Sequence, residues 1–327
     1  MKNHLKRIFK RVISITIILV TLLYCFLSGC SSCQKDKRFK TVQGFSVNFI
    51  DVGNGDSIFI RFDDGKNMLI DCGFSSTTYF DNICRVLDAY NTTKINYLVL
   101  THPDVDHVGN VSNLLSKYKI EKAFIPNVYN KSLYKVFNDA YSSLVNADVE
   151  MTYSNIYQSI IGRNYFACFL SPCLDGTSDY YGYFNGLLSP TENDINSLSP
   201  IIYLEYKGVR FLFTGDATKE QESVLMLNYK AGLYNLIHDR NINLYDIDVL
   251  KVAHHGSDDS SGYEFLSILK PKIAVISVGG NNVYGHPSAE VINNLYMVNP
   301  SVKILRTDVF GDISLAVDFN GKLSVLS

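Results

Sequence analysis

The segment Thr101-His102-Pro103-Asp104-Val105-Asp106-His107 sets the strongest limit on what this chain can become. His102, Asp104, Asp106 and His107 place four metal-capable side chains within six residues. They follow directly on an apolar run at 95–100 that reads as a buried strand. Imidazole nitrogen together with carboxylate oxygen suits zinc, manganese or iron. Acids this close repel one another, so the loop needs a compensating positive charge, and a bound cation supplies it. The plain alternative is a solvated acidic turn, and the remaining histidines speak against that. The chain has seven His, and His4 lies in the N-terminal stretch. Five of the other six fall in three short segments: His102 with His107, His254 with His255, and His286. Each segment follows an expected strand or the loop after it, where functional side chains gather on a rigid frame.

Around these segments the hydrophobic pattern alternates between strand and helix. Strands are expected at 46–50, 57–62 and 67–71, with Asp63-Asp64-Gly65 as a hairpin turn. A helix is expected at 79–90, the buried strand at 95–100, a helix at 111–118 and a strand at 122–125. Residues 127–192 are polar, Tyr-rich and punctuated by Gly, Pro and Asn, and read as loops with an excursion over the site. The pattern then restarts. Strands at 201–206 and 209–213 flank Lys207-Gly208, and a helix at 219–229 opens after Thr218. A strand at 248–253, a helix at 262–269 and a strand at 272–278 follow. Pro287 marks the start of the next helix, and strands at 302–305 and 313–317 close the chain. Two similar halves without a short tandem repeat imply one α/β domain over 44–327: two facing sheets with helices outside, an αββα sandwich.

Composition narrows the partners. A net charge of -2 and a pI near 6.4 exclude a global basic excess that would grip a polyanion nonspecifically. The 22 Tyr and 19 Phe read as core and strand surface before they read as a base-stacking platform. Lys2, Lys6, Arg7, Lys10 and Arg11 precede an apolar run at 12–27, the layout of a secretory signal. The run is short of the roughly 20 residues a spanning helix needs. It ends Leu27-Ser28-Gly29-Cys30, which resembles the bacterial lipobox. The expectation is a lipoprotein signal peptide at 1–30, a polar tether at 31–43, and an extracytoplasmic domain anchored to the bacterial cell membrane by a lipid on Cys30. An uncleaved membrane anchor is the alternative, and both readings place the rest of the chain outside the cytoplasm. Cys33, Cys72, Cys84, Cys168 and Cys173 remain, an odd number that leaves at least one free thiol. Cys168 and Cys173 are close enough in sequence to pair, and no cysteine is expected to bind the metal.

The ligand segment resembles the HxHxDH signature of the metallo-β-lactamase superfamily, with Asp104 in place of the second His. That form is found in the ComEC-type branch of DNA-uptake proteins. Further segments fit the branch in order: Asp51-Val52-Gly53-Asn54-Gly55-Asp56, Asp71-Cys72-Gly73, Phe213-Thr214-Gly215-Asp216, Lys251-Val252-Ala253-His254-His255-Gly256-Ser257, Tyr284-Gly285-His286-Pro287 and Arg306-Thr307-Asp308. The resemblance spans about 46–317. It implies the metallo-β-lactamase fold and one or two divalent ions, zinc or manganese. His102 and Asp104 would bind one ion, Asp106, His107 and His255 the other, and Asp216 would bridge them. Asp56 and Asp71 would hold the ligand loop by hydrogen bonds. Asp106, His254 and His286 would act in catalysis, the last two by giving a proton to a leaving oxygen or holding a phosphate, with a satisfied structural histidine as the alternative for either. There is one departure: the superfamily's third His on the first ion is missing, and Asn193, Asp194, Asn196 and Ser197 stand where it belongs.

The branch implies hydrolysis of a phosphodiester, DNA among the substrates, by a metal-bound hydroxide. Fold does not fix substrate, so three rivals stay open: an envelope phosphodiesterase acting on teichoic or phosphocholine groups, a lactamase-like amide hydrolase, and a non-catalytic surface module that binds DNA or a partner. The Asp104 variant argues against the amide hydrolase. The N-terminal reading is tested by Cys30→Ala, which should release the protein from the membrane fraction or block its processing. Unchanged size and unchanged retention would favour the uncleaved helix.

Overall fold

The computed structural model describes residues 41–128, 131–172, 195–235 and 237–326. The expected signal and the expected tether up to residue 40, including Cys30 and Cys33, lie outside the described residues, as do Cys173, Asn193 and Asp194. In chain order the elements are β1 (Phe45–Phe49), β2 (Ile58–Arg61), β3 (Asn67–Ile70), α1 (Thr77–Ala89), β4 (Lys94–Val99), α2 (Val105–Val108), α3 (Val111–Lys117), β5 (Lys119–Ile125), α4 (Lys135–Asn146) and β6 (Glu150–Tyr153). They continue as β7 (Ser159–Ile161), β8 (Tyr165–Phe169), β9 (Ile202–Tyr206), β10 (Val209–Phe213), α5 (Lys219–Lys230), β11 (Val249–Lys251), α6 (Tyr263–Leu269) and β12 (Ile273–Ile276). The chain closes with α7 (Ala289–Val298), β13 (Lys303–Arg306), α8 (Thr307–Phe310), β14 (Ile313–Val317) and β15 (Leu323–Val325).

The strands form two mixed sheets, ordered β15-β14-β1-β2-β3-β4-β5-β6 and β13-β12-β11-β10-β9-β8-β7. The two halves are not self-contained, because the C-terminal strand β14 crosses back and pairs antiparallel with β1, Ile313 opposite Phe49. Period-two alternation explains the layers. Phe45, Val47 and Phe49 of β1 face Phe211 and Phe213 of β10 in the core between the sheets, while Leu212 joins a second core under the outer helices with Leu225, Phe265 and Leu295. The inter-sheet core is aromatic: Phe45 stacks on Tyr206 at 4.3 Å between ring centroids, and Phe62 on Tyr165 at 3.9 Å. In the first sheet β3 through β6 run parallel, and in the second β10 through β13 do so. Parallel neighbours end at the same edge of a sheet, where ligand-binding loops collect in such folds.

Two expectations need correction. Residues 127–192 are not one loop excursion: they contain α4 and the strands β6, β7 and β8. Pro287 does not open its helix; Ser288 is the cap, its hydroxyl accepting from Val291 N at 3.2 Å, so the proline sits one residue outside. Cys72, Cys84 and Cys168 are buried free thiols. Phe45 also packs against Phe62 and Phe211, at 6.2 and 5.5 Å. Phe45→Ala should therefore cost about 3–5 kcal/mol, read as a lower urea midpoint; a loss under about 1 kcal/mol would contradict this packing.

Candidate metal centre

The first group of donors is held by Asp71, just past β3. Its Oδ1 accepts from Thr101 N at 2.8 Å. Its Oδ2 accepts from the Thr101 hydroxyl at 2.7 Å and faces His107 Nδ1 at 2.8 Å. Thr101, having spent its proton on Asp71, can accept from His102 Nδ1 at 3.0 Å. Both imidazoles are thus fixed with Nδ1 protonated and Nε2 available, the arrangement outer carboxylates impose on metal-binding histidines. Asp104 is the extended residue that opens the single turn of α2, which carries Asp106 and His107. The loop 51–56 presses against this turn: Asp56 N donates to Asp106 O at 3.3 Å, and a side chain on Gly55 would collide with that carbonyl. From the second sheet, His255 follows β11 and gives its Nδ1 proton to Ser277 O at 2.8 Å, freeing Nε2 again.

Asp216, after β10, is the meeting point. Its Oδ2 lies 3.3 Å from His107 Nε2, 3.4 Å from His255 Nε2, and 3.9 Å from His102 Nε2. Asp104 Oδ2 is 3.6 Å from His102 Nε2, and Asp106 Oδ2 is 3.6 Å from His255 Nε2. His107 Nε2, His255 Nε2 and Asp216 Oδ1 are buried without a hydrogen-bond partner. Orphaned buried acceptors cost free energy, and a divalent cation among them removes that cost. Two donor groups fit one, His102 with His107 and Asp216, and Asp106 with His107 and His255, each with its ligand atoms within 4.8 Å of one another. In a third group, Asp56 with Asp71 and His107, Asp56 Oδ2 is paired with Lys251 and Asp71 with His107 Nδ1, while Asp56 Oδ1 is buried without a hydrogen-bond partner.

Lys251 is the part that sequence reasoning missed, although it opens the Lys251–Ser257 motif. Its buried ammonium lies 2.5 Å from Asp56 Oδ2 and 3.7 Å from Asp216 Oδ1, and donates to Gly215 O at 2.9 Å. Asp56 therefore does not grip the ligand segment with its side chain but anchors this cation. Burial pulls the imidazoles down, yet Asp216 with Asp71 and Asp106 raises His107 well above its ordinary value, and Asp216 with Asp106 pushes His255 up to about 10. Burial likewise opposes ionisation of Asp106 and Asp216, but the two imidazoles hold both carboxyls below the usual range. The donor set is built to hold positive charge.

His254 and His286 reach the same place. His254 Nδ1 pairs with Asp259 Oδ1 at 2.9 Å, and its Nε2 lies 3.9 Å from Asp216 Oδ2. His254, His255 and Gly256 all have left-handed backbone, φ 48°, 53° and 85°. The His286 ring lies 5.7 Å from that of His254 and stacks on Tyr284. Burial and the charges of His254 and His255 lower its pKa. These residues line an open pocket of about 890 Å³ that contains Asp104, Asp106, Asp216 and Asp259 and, among the described residues, no Lys or Arg. Where the expected third His is missing, Ser199 Oγ lies 3.3 Å from His102 Nδ1 and accepts from Asp216 N at 3.1 Å.

Residues 50–168 match the family model described as Metallo-beta-lactamase superfamily. With the two-sheet fold and the shared-carboxylate site, this makes the chain a protein of the metallo-β-lactamase superfamily. Within it, the chain is similar to ComEC-type competence proteins. It is 31% identical over 287 residues to ComE operon protein 3 of Bacillus subtilis (strain 168), covering 82% of this chain and 32% of that protein. To Competence protein ComA of Neisseria gonorrhoeae it is 26% identical over 279 residues, covering 84% of this chain and 33% of that protein. The chain thus spans about a third of the length of these relatives. Among solved structures, the diiron β-hydroxylase CmlA of Streptomyces venezuelae shares the fold, with a TM-score of 0.50 at 13% identity, covering 85% of this chain and 55% of that one.

A pH dependence follows. The folded value of His255, about 10, lies above its ordinary 6.5, so its stabilising charge is fully present below pH 6.5 and lost as pH rises through 10. His107 acts in the same direction. Protein stripped with a chelator should lose unfolding free energy between pH 6.5 and 10. Metal-reloaded protein should lose less, because the cation replaces the protons. Coincident profiles for the two forms would contradict this account.

Proposed function

We propose that the chain is an extracytoplasmic, lipid-anchored, metal-dependent hydrolase of phosphodiesters, with DNA the substrate suggested by its competence-protein relatives. The observation that carries the reading is the single oxygen Asp216 Oδ2, set within 3.3–3.9 Å of the Nε2 atoms of His102, His107 and His255. In this reading His102 and Asp104 hold one ion, zinc or manganese, Asp106, His107 and His255 hold a second, and Asp216 serves both.

Held by these residues, a divalent cation would supply Lewis-acid polarisation of a phosphoryl oxygen and a water of lowered pKa. The protein does the rest. Four aspartates on the pocket wall repel a phosphate until that charge is neutralised, so substrate binding is conditional on metal. Asp104 and Asp106, whose side chains are 29% and 25% exposed, are the ligand-set carboxylates open to solvent, and in this reading Asp106 orients an attacking water. His286, held neutral by burial and its histidine neighbours, donates a hydrogen bond to a phosphate or a leaving oxygen. The described residues that line the pocket include four aspartates and no Lys or Arg, which supports a strand end or a short diester over a long duplex.

The test is release of nitrophenol from a bis-ester, then nicking of plasmid and shortening of single strands, each with manganese, zinc and chelator. Asp106→Ala should abolish turnover. His286→Ala should lower it by roughly 10²–10³-fold, the cost of one lost donor, with metal content unchanged. Cleavage of the small ester alone would point to the envelope phosphodiesterase. No cleavage by fully metallated protein would leave the binding module standing.

A further inference from the structure

We propose that His254 holds the first cation in place of the imidazole missing near residues 193–197. The inference rests on the metal reading of the site and changes its ligand set. Without it, the first ion has only His102, Asp104 and the shared Asp216, while the second has Asp106, His107, His255 and Asp216.

Three observations carry it. His254 Nε2 lies 3.9 Å from Asp216 Oδ2, the same distance as His102 Nε2 from that oxygen. His254 Nδ1 is tied to Asp259 Oδ1 at 2.9 Å, as His107 Nδ1 is tied to Asp71 at 2.8 Å. A carboxylate on one ring nitrogen leaves the other as donor and raises its basicity, the outer arrangement metal-binding histidines share. The backbone supplies the third. In extended chain, adjacent side chains point to opposite sides, so a strand could deliver only one of His254 and His255 to the site. Left-handed conformation at both, φ 48° and 53°, turns both rings to the same pocket, which they line together with Asp216. A non-glycine residue in this conformation is uncommon, and His is among the types that adopt it most readily.

Asn196 adds to the picture. Its Nδ2 lies 3.5 Å from His254 Nε2, at the outer limit of a hydrogen bond, and its Oδ1 is buried without a partner. A half-turn of the amide exchanges the two atoms and would offer the cation an oxygen from this side. The position that lacks a histidine would then be filled by a nitrogen from after β11, with the local amide beside it.

The experiment is metal stoichiometry and affinity of the full protein, by elemental analysis and competition with a chromophoric chelator, using zinc, manganese and cobalt. His254→Asn is the informative variant: Asn tolerates left-handed backbone, and its amide is too short to reach the position of Nε2. It should weaken one ion by at least 10-fold while the other keeps wild-type affinity, which also reports an intact fold. Asp259→Asn should weaken the same ion by roughly 10–100-fold, and the visible spectrum of the cobalt form should change in both variants. His286→Ala should bind metal as wild type does. Wild-type affinity for every ion in His254→Asn overturns the proposal, whatever happens to turnover. A wild type that binds metal but cleaves no phosphodiester would defeat the hydrolase reading and leave this one in place.

Discussion

The site depends on one buried carboxylate oxygen, Asp216 Oδ2, placed among three imidazole Nε2 atoms. Asp216 Oδ2 cannot be surrounded this way unless each ring is turned correctly, and each ring is turned by a different anchor. Asp71 fixes His107 and, through Thr101, His102, while the Ser277 carbonyl fixes His255. Lys251 supplies a fixed positive charge behind the carboxylates, tied to Asp56 on one side and near Asp216 on the other. Electrostatic interactions are stronger where water is excluded, so removing one anchor changes the protonation of several groups at once. The aromatic core between the sheets matters because it fixes where the strand ends meet.

The parts of this arrangement that sequence could reveal are those with local period or local density. Alternation located β1 to β4 and β9 to β12 to within a residue or two at most ends, because one face of each strand is apolar. It did not locate β6, whose residues are half-buried or exposed, or β15, which is half-buried throughout. The helix α4 was lost among polar and aromatic residues, although Phe137, Ala140 and Leu144 form its buried stripe. The single turn α2 has no apolar stripe to read, since its positions are taken by donors.

At the site, residue types and order exposed the donors, and the resemblance arranged them into sets. What remained hidden is what three-dimensional neighbours decide: that Asp56 belongs to Lys251, that Asp259 belongs to His254, and that two successive histidines can share one pocket. None of these pairs has a spacing that announces it. Asp56 and Lys251 lie on different sheets, and the left-handed turn at His254 follows from how the chain leaves β11, which no side-chain pattern records.

The donors are divided between the sheets, and this has a consequence for how the molecule comes into being. His102, Asp104, Asp106 and His107 follow β4, whereas Asp216 and His255 follow β10 and β11, more than a hundred residues later in synthesis. The earlier half, emerging first, carries this loop with its Asp71 anchor but without Asp216 and His255. The later half alone lacks the dense cluster. Neither part can assemble the centre by itself, and even the first sheet is unfinished until β14 returns to β1. The cluster is therefore complete only when both sheets have formed and Asp216 and His255 have been brought against the loop that follows β4.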